Sequence, residues 1–200
     1  NDAIDAPRDA AVGRGDKPVA TGAVGRRPVA VAATVAVVAC LVLAVVTAVG
    51  AGTPWAFAVA WLGLLSALMY NWPLKATVLS PLPYAVSFAC LPAFVVVVAG
   101  RSVPAWLIAA GGLLGVGAHF ANVVPDMSDD ARTGVRGLPH RFGPTGALAA
   151  SAVLLLAVTA LLIFGPPGPP RAIGAVAGAF AVVVLLLGAY LGRRSTARHW

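Results

Sequence analysis

Apolar runs as long as a membrane is thick recur along this 200-residue chain, and they constrain its fold more than any other feature. One of them, VAVAATVAVVACLVLAVVTAV, lies within Pro28 to about Gly50. Others cover Pro54 to Tyr70, about Leu82 to Gly100, Val103 to Val124, Pro144 to Phe164 and Ala172 to about Gly192. A helix of about 20 apolar residues crosses the hydrocarbon core, where the backbone must satisfy its own hydrogen bonds. The sequence therefore predicts an all-α fold, a polytopic transmembrane helical bundle of about six spans in a single membrane domain, 1–200. Charged residues make up only 10% of the chain, against about 25% in a soluble domain. Pro83 and Pro92 interrupt the third run, and neighbouring helices are expected to satisfy the carbonyls they free. The fourth is glycine-rich at GGLLGVG, which permits close helix packing.

The loops between these runs alternate sides. Residues 1–27, 71–81, 125–143 and the basic tail 193–200 fall on one face. The turns around Gly52, Arg101 and 166–171 fall on the other. Only Arg101 and Arg171 of the basic residues lie on the second face, so the first is expected to be cytoplasmic, in a multi-pass protein of the cell membrane. Arg193, Arg194 and Arg198 read as topology signals. The net charge of +7 is spread over loops between spans, so no nucleic-acid partner is expected. Trp55, Trp61, Trp72 and Trp106 read as belt or lipid-facing residues. Cys40 and Cys90 fall mid-span and read as apolar packing residues.

All seven acidic residues are aspartates, and all fall in two loops of the basic-rich face. The positive-inside rule does not explain that clustering, because acids contribute little to topology. On a helix, Asn1, Asp5 and Asp9 form one stripe, although Pro7 would kink it or end it early. If the loop Pro125 to Gly143 begins as a helix, Asp126 and Asp130 share a face as well. Carboxylates this close repel one another, and a hard cation such as Mg²⁺, with oxygen ligands, relieves the repulsion. Four spans separate the two clusters, so they can converge in a bundle and hold metal ions that grip a diphosphate. Lys17, Lys75 and Arg136 would supply the remaining positive charge.

At these residues the chain resembles a known family. NDAIDAPRD fits the pattern NDxxDxxxD, and DKPVATGAV looks like the basic–Pro–Ser/Thr–Gly segment that follows it. PDMSDDARTGVRGLP fits DxxxDxxxG with a basic residue and Leu-Pro behind it, and YNWPLK resembles a central Tyr…Lys loop. The chain resembles the UbiA superfamily of intramembrane prenyltransferases over nearly its whole length. The resemblance implies a full fold of about eight or nine helices around a central cavity. It also implies Mg²⁺-dependent transfer of a polyprenyl group from its diphosphate to an aromatic, quinone-precursor-like or other lipophilic acceptor at a cytoplasm-facing site. It makes Asn1, Asp5, Asp9, Asp126 and Asp130 metal ligands, Asp2 and Asp129 neighbours that orient them, and Lys17, Lys75 and Arg136 diphosphate contacts. Two spans implied before Asn1 and one after Trp200 are not in the sequence, so the chain is expected to be a fragment that needs the upstream spans for activity. Gly137 stands where that family often has Thr.

Tyr70, Asn71, Tyr84, His119 and Asn122 are candidates for the substrate pocket, because polar groups at membrane depth are functional by default. The same residues also fit an interfacial belt or helix–helix bonds. Other readings stay open at this stage: a sugar-phosphate or glycerol-lipid acceptor, cyclisation of the prenyl chain, or a transporter whose aspartates bind a cation. Transporters usually carry such groups near mid-bilayer, which weighs against the last.

Overall fold

In the computed structural model, residues 2–196 are described; they form helices and turns, with no strand among them. In order these are α1 (Asp2–Ala11), α2 (Arg26–Gly50), α3 (Ala56–Asn71), α4 (Pro81–Val98), α5 (Ala105–Val123), α6 (Met127–Arg132), α7 (Gly143–Phe164) and α8 (Ala172–Thr196). Short 3-10 turns occur at Leu74–Ala76, Val124–Asp126 and Leu138–Arg141. The two ends of the chain, Asn1 and residues 197–200 with Arg198, lie outside the described residues.

Each expected span is a helix, and four stretches among the described residues are long and apolar enough to cross a membrane. They are α2, α4, α7 and the stretch Ala105–Arg132 that α5 begins. α3, with 16 residues, is shorter, as is the apolar part Ala172–Leu185 of α8. A helix of that length reaches about 24 Å, less than a hydrocarbon core of about 30 Å. It stops at Asn71 because Trp72 precedes Pro73, whose ring drives the residue before it into extended backbone, here φ −165° and ψ 122°.

α3 packs on α4, α4 on α5 and α5 on α7, while α2 and α8 lie at the two ends against α3 and α7. The buried side of α5 runs through Ala110, Gly111, Gly115, Gly117, His119, Phe120 and Val123. Its glycines set the spacing. A Cβ on Gly111 would lie 2.6 Å from the Phe88 carbonyl oxygen, and one on Gly115 would overlap the Tyr84 carbonyl. Pro92 lacks the N–H that would bond Phe88, so α5 packs against a carbonyl that α4 leaves free. On its other side α5 meets α7, where the Ser151 hydroxyl donates to the Gly117 carbonyl at 2.8 Å. Gly115→Val is expected to destabilise the bundle by about 1–3 kcal/mol, because α4 must move away. A thermal midpoint in detergent equal to that of the native chain would show that the helices do not meet there.

The outer helices keep their apolar side chains outward. Val31, Val35, Val38 and Val42 of α2 are exposed, and only Ala44 and Ala48 of that helix are buried. Hydrocarbon chains solvate such a surface, so a transmembrane bundle has no need to hide it. At one end of the bundle the polar segments gather. α1 runs through Pro7 to Ala11 instead of stopping there. Pro7 leaves the Ala3 carbonyl without its helical partner, and Arg26 Nε at the start of α2 donates to it at 2.6 Å. That bond anchors α1 across the same end of the bundle as the Leu74–Ala76 turn and α6.

Candidate functional site

The two acid clusters meet at that end. α1 turns Asp5 and Asp9 inward, both buried. α6 and the 3-10 turn before it bring Asp126, Asp129 and Asp130 to the opposite wall of a polar cavity of about 40 Å³. Asp126 belongs to that turn and not to α6, yet it lines the same cavity as Asp130. Thr133 closes this wall, its hydroxyl donating to the carbonyls of Asp129 and Asp130.

Cations of the chain itself sit between the carboxylates. Lys75 Nζ donates to Asp5 Oδ2 at 2.9 Å, fixing the turn after α3 to α1. Arg8 Nη2 lies 3.1 Å from Asp5 Oδ2 and 3.7 Å from Asp130 Oδ1, so it touches both clusters. Arg14 Nη1 donates to Asp126 Oδ1 at 2.8 Å and lies 3.6 Å from Asp129 Oδ2. Its Nε and Nη2 also grip Asp16 with two bonds of 2.8 Å. These bonds pull the Asp16 carboxyl down to about 2 and raise the Arg14 guanidinium above its ordinary value. Lys17 Nζ, part-buried, is 3.5 Å from the exposed Asp2 at the rim. His140 Nε2 lies 4.0 Å from Asp130 Oδ2.

Among the described residues, no three His, Cys, Asp or Glu side chains converge as a ready metal-ligand group, and Arg8, Arg14 and Lys75 pair with the carboxylates instead. The donors nevertheless suit a hard cation, since all are carboxylate oxygens. Asp9 carries the clearest sign. It is only 9% exposed, lines the cavity, and has no ion pair among the described residues. A carboxylate on a largely buried side chain with no ion pair leaves its charge for a cation in the cavity to balance.

Of the expected diphosphate contacts, Lys17 and Lys75 line the cavity. Arg136 does not: it is exposed and outside the cavity wall. The chain turns at Gly134, where φ is 80°, and it is Val135 that points inward. Asn122 is likewise exposed, off the α5 face that buries His119, Phe120 and Val123. Asp2 is half exposed. Asn1, expected as a metal ligand, lies outside the described residues.

Beside the acid pocket, the polar ends of α3, α4 and α5 bring together Tyr70, Tyr84 and His119. Tyr84 is 5.1 Å from Tyr70 and 4.8 Å from His119 between ring centroids. His119, 1% exposed, has Nε2 3.0 Å from Ser80 Oγ, and that same oxygen accepts from the Leu138 N–H at 3.0 Å. Ser80 Oγ thereby ties His119 on α5 to the Leu138 backbone. Neither Nδ1 nor the buried Asn71 Oδ1 has a partner among the described residues. The same contacts explain Gly137. A Cβ there would stand 2.6 Å from Ser80 Oγ and 2.8 Å from the Lys75 carbonyl, so the Ser80 hydroxyl fills the space a threonine would need.

Arg8, Arg14 and Ser80 escape the sequence reading. Arg8 alone carried a signal, its i,i+3 spacing to Asp5. Arg14 and Ser80 pair with residues far away in sequence. With this geometry in place, comparison with known proteins gives one match: the UbiA prenyltransferase family, over residues 1–200. No curated protein and no solved structure matches the chain.

Proposed function

We propose a substrate and a set of residue roles for this chain, which belongs to the UbiA prenyltransferase family and is an integral membrane protein. It moves a polyprenyl group from its diphosphate to an aromatic, quinone-precursor-like or other lipophilic acceptor. The observation that carries this reading is the meeting of Asp5 and Asp9 with Asp126 and Asp130 across one cation-lined cavity at the end of a helical bundle.

Asp5, Asp9, Asp126 and Asp130 would hold Mg²⁺, with Asp129 beside them. When bound, Mg²⁺ supplies Lewis-acid stabilisation of the departing diphosphate. Lys75, Lys17 and Arg14 are placed to donate to phosphate oxygens, and charge-assisted bonds of this kind strengthen as the C–O bond breaks. Tyr70 and Tyr84, packed on each other and on His119, would wall the reacting end of the prenyl chain and keep water from the allylic cation. One helical turn deeper than the tyrosines, from Ala67 and Phe88 onward, an apolar cavity of about 470 Å³ opens between α2, α3 and α4. It gives the prenyl chain a hydrocarbon-lined seat at bilayer depth.

The test is incubation in nanodiscs with Mg²⁺, labelled polyprenyl diphosphates and a panel of aromatic acceptors, with products identified by mass. Release of diphosphate with a prenylated acceptor is expected. If no acceptor is alkylated and no diphosphate is released, the reading fails.

The basic loops share the site's end of the bundle, which supports a cytoplasmic site under the positive-inside rule. In a background lacking Cys40 and Cys90, cysteines introduced at the exposed positions Thr21 and Ser128 are expected to react with an impermeant thiol reagent only after the cell is opened. Labelling of either position in intact cells would reverse the orientation.

A further inference from the structure

We propose that Arg8 is a resident cation that holds the two acid clusters together until a diphosphate arrives, which makes metal binding conditional on the diphosphate. The inference rests on the metal–diphosphate reading above. Arg8 is singled out by its position. Lys75 pairs with Asp5 alone, and Arg14 pairs with Asp126, Asp129 and Asp16. Arg8 reaches Asp5 on α1 and Asp130 on α6, the place a bridging metal would take. Among the described residues it makes ion pairs there without a directed hydrogen bond, whereas Arg14 is tied down by three. A guanidinium held this way can exchange carboxylate oxygens for phosphate oxygens without losing its charge pairing.

The charge of the cavity gives the second argument. Its wall carries five aspartates against Arg8, Arg14, Lys17 and Lys75, and Asp16 and Asp2 at the rim pair Arg14 and Lys17, a balance of three negative charges. Two divalent cations entering alone would reverse this to one positive charge and would compete with Arg8 for Asp5 and Asp130. A diphosphate entering with them turns the balance negative again and gives Arg8 a new partner. Metal and diphosphate should therefore bind synergistically, and by linkage each must tighten the other by the same factor.

The test is a Mn²⁺ titration of the purified protein in detergent, read by electron paramagnetic resonance. It is run with and without inorganic pyrophosphate and corrected for the manganese–pyrophosphate complex in solution. In the native chain, pyrophosphate is expected to tighten Mn²⁺ by about tenfold or more. Arg8→Gln is expected to bind Mn²⁺ alone about tenfold tighter than the native chain and to gain little from pyrophosphate. Arg8→Lys, which keeps the charge on a shorter side chain than the one whose Nη2 reaches both carboxylates, should fall between. Tight Mn²⁺ binding by the native chain with no gain from pyrophosphate would overturn the role of Arg8 and leave the metal site standing. Arg8→Gln or Arg8→Lys matching the native chain would overturn it too. No Mn²⁺ binding under either condition would overturn the metal–diphosphate reading and this inference together.

Discussion

Asp5→Asn and Asp130→Asn are each expected to lower prenyl transfer by about 100-fold or more, the scale of losing one preorganised electrostatic contact to a developing charge. The double variant is expected to be little worse than either single one, because groups that act as a unit give non-additive losses. The two aspartates lie on different helices, 125 positions apart in sequence, and share the cavity and the ion pairs of Arg8. Both are buried, so either substitution also leaves Arg8 short of one partner. Arg136→Gln is the matched control: it removes a charge from the same loop but outside the cavity wall, and activity should change by no more than about threefold. Initial rates at saturating diphosphate decide the matter. Near-native turnover in Asp5→Asn or Asp130→Asn would remove the residue from the site. Strictly multiplicative losses would mean that the clusters act separately.

Removal of divalent metal is the second large effect. Chelation is expected to abolish turnover, and added Mg²⁺ to restore it, because the oxygen-only donors suit a hard cation. The fold should survive the same treatment. Arg8, Arg14 and Lys75 already pair Asp5, Asp126, Asp129 and Asp130, so the carboxylates are not left to repel one another. A thermal midpoint that moves by no more than about 3 °C on chelation is the expected companion result, corresponding to about 1 kcal/mol or less for a chain of this size. Turnover that persists in metal-free buffer would end the metal reading. A collapse of the midpoint would show that metal, not the chain's own cations, holds α1 to α6.

The sequence by itself determined the class of fold. Hydrocarbon admits only segments whose backbone bonds are satisfied internally, so long apolar runs at this spacing had one outcome, a helical membrane bundle. It also determined which loops hold the chemistry, because aspartates are confined to two of them, and the glycines of α5 announced a close contact. Motif pattern carried the resemblance that the family match bears out. The tertiary structure decided the rest. It brought α1 to α6, gave Lys75 to Asp5 and Arg14 to Asp126, put Ser80 in the space beside Gly137, and left Arg136 and Asn122 outside. The physical reason lies in range. Apolar periodicity and motif spacing are local along the chain, and burial in lipid depends on composition alone. An ion pair between residues 70 or 112 positions apart depends on how the helices between them pack, and here that packing is set by Pro92, Gly111 and Gly115 at the α4–α5 contact.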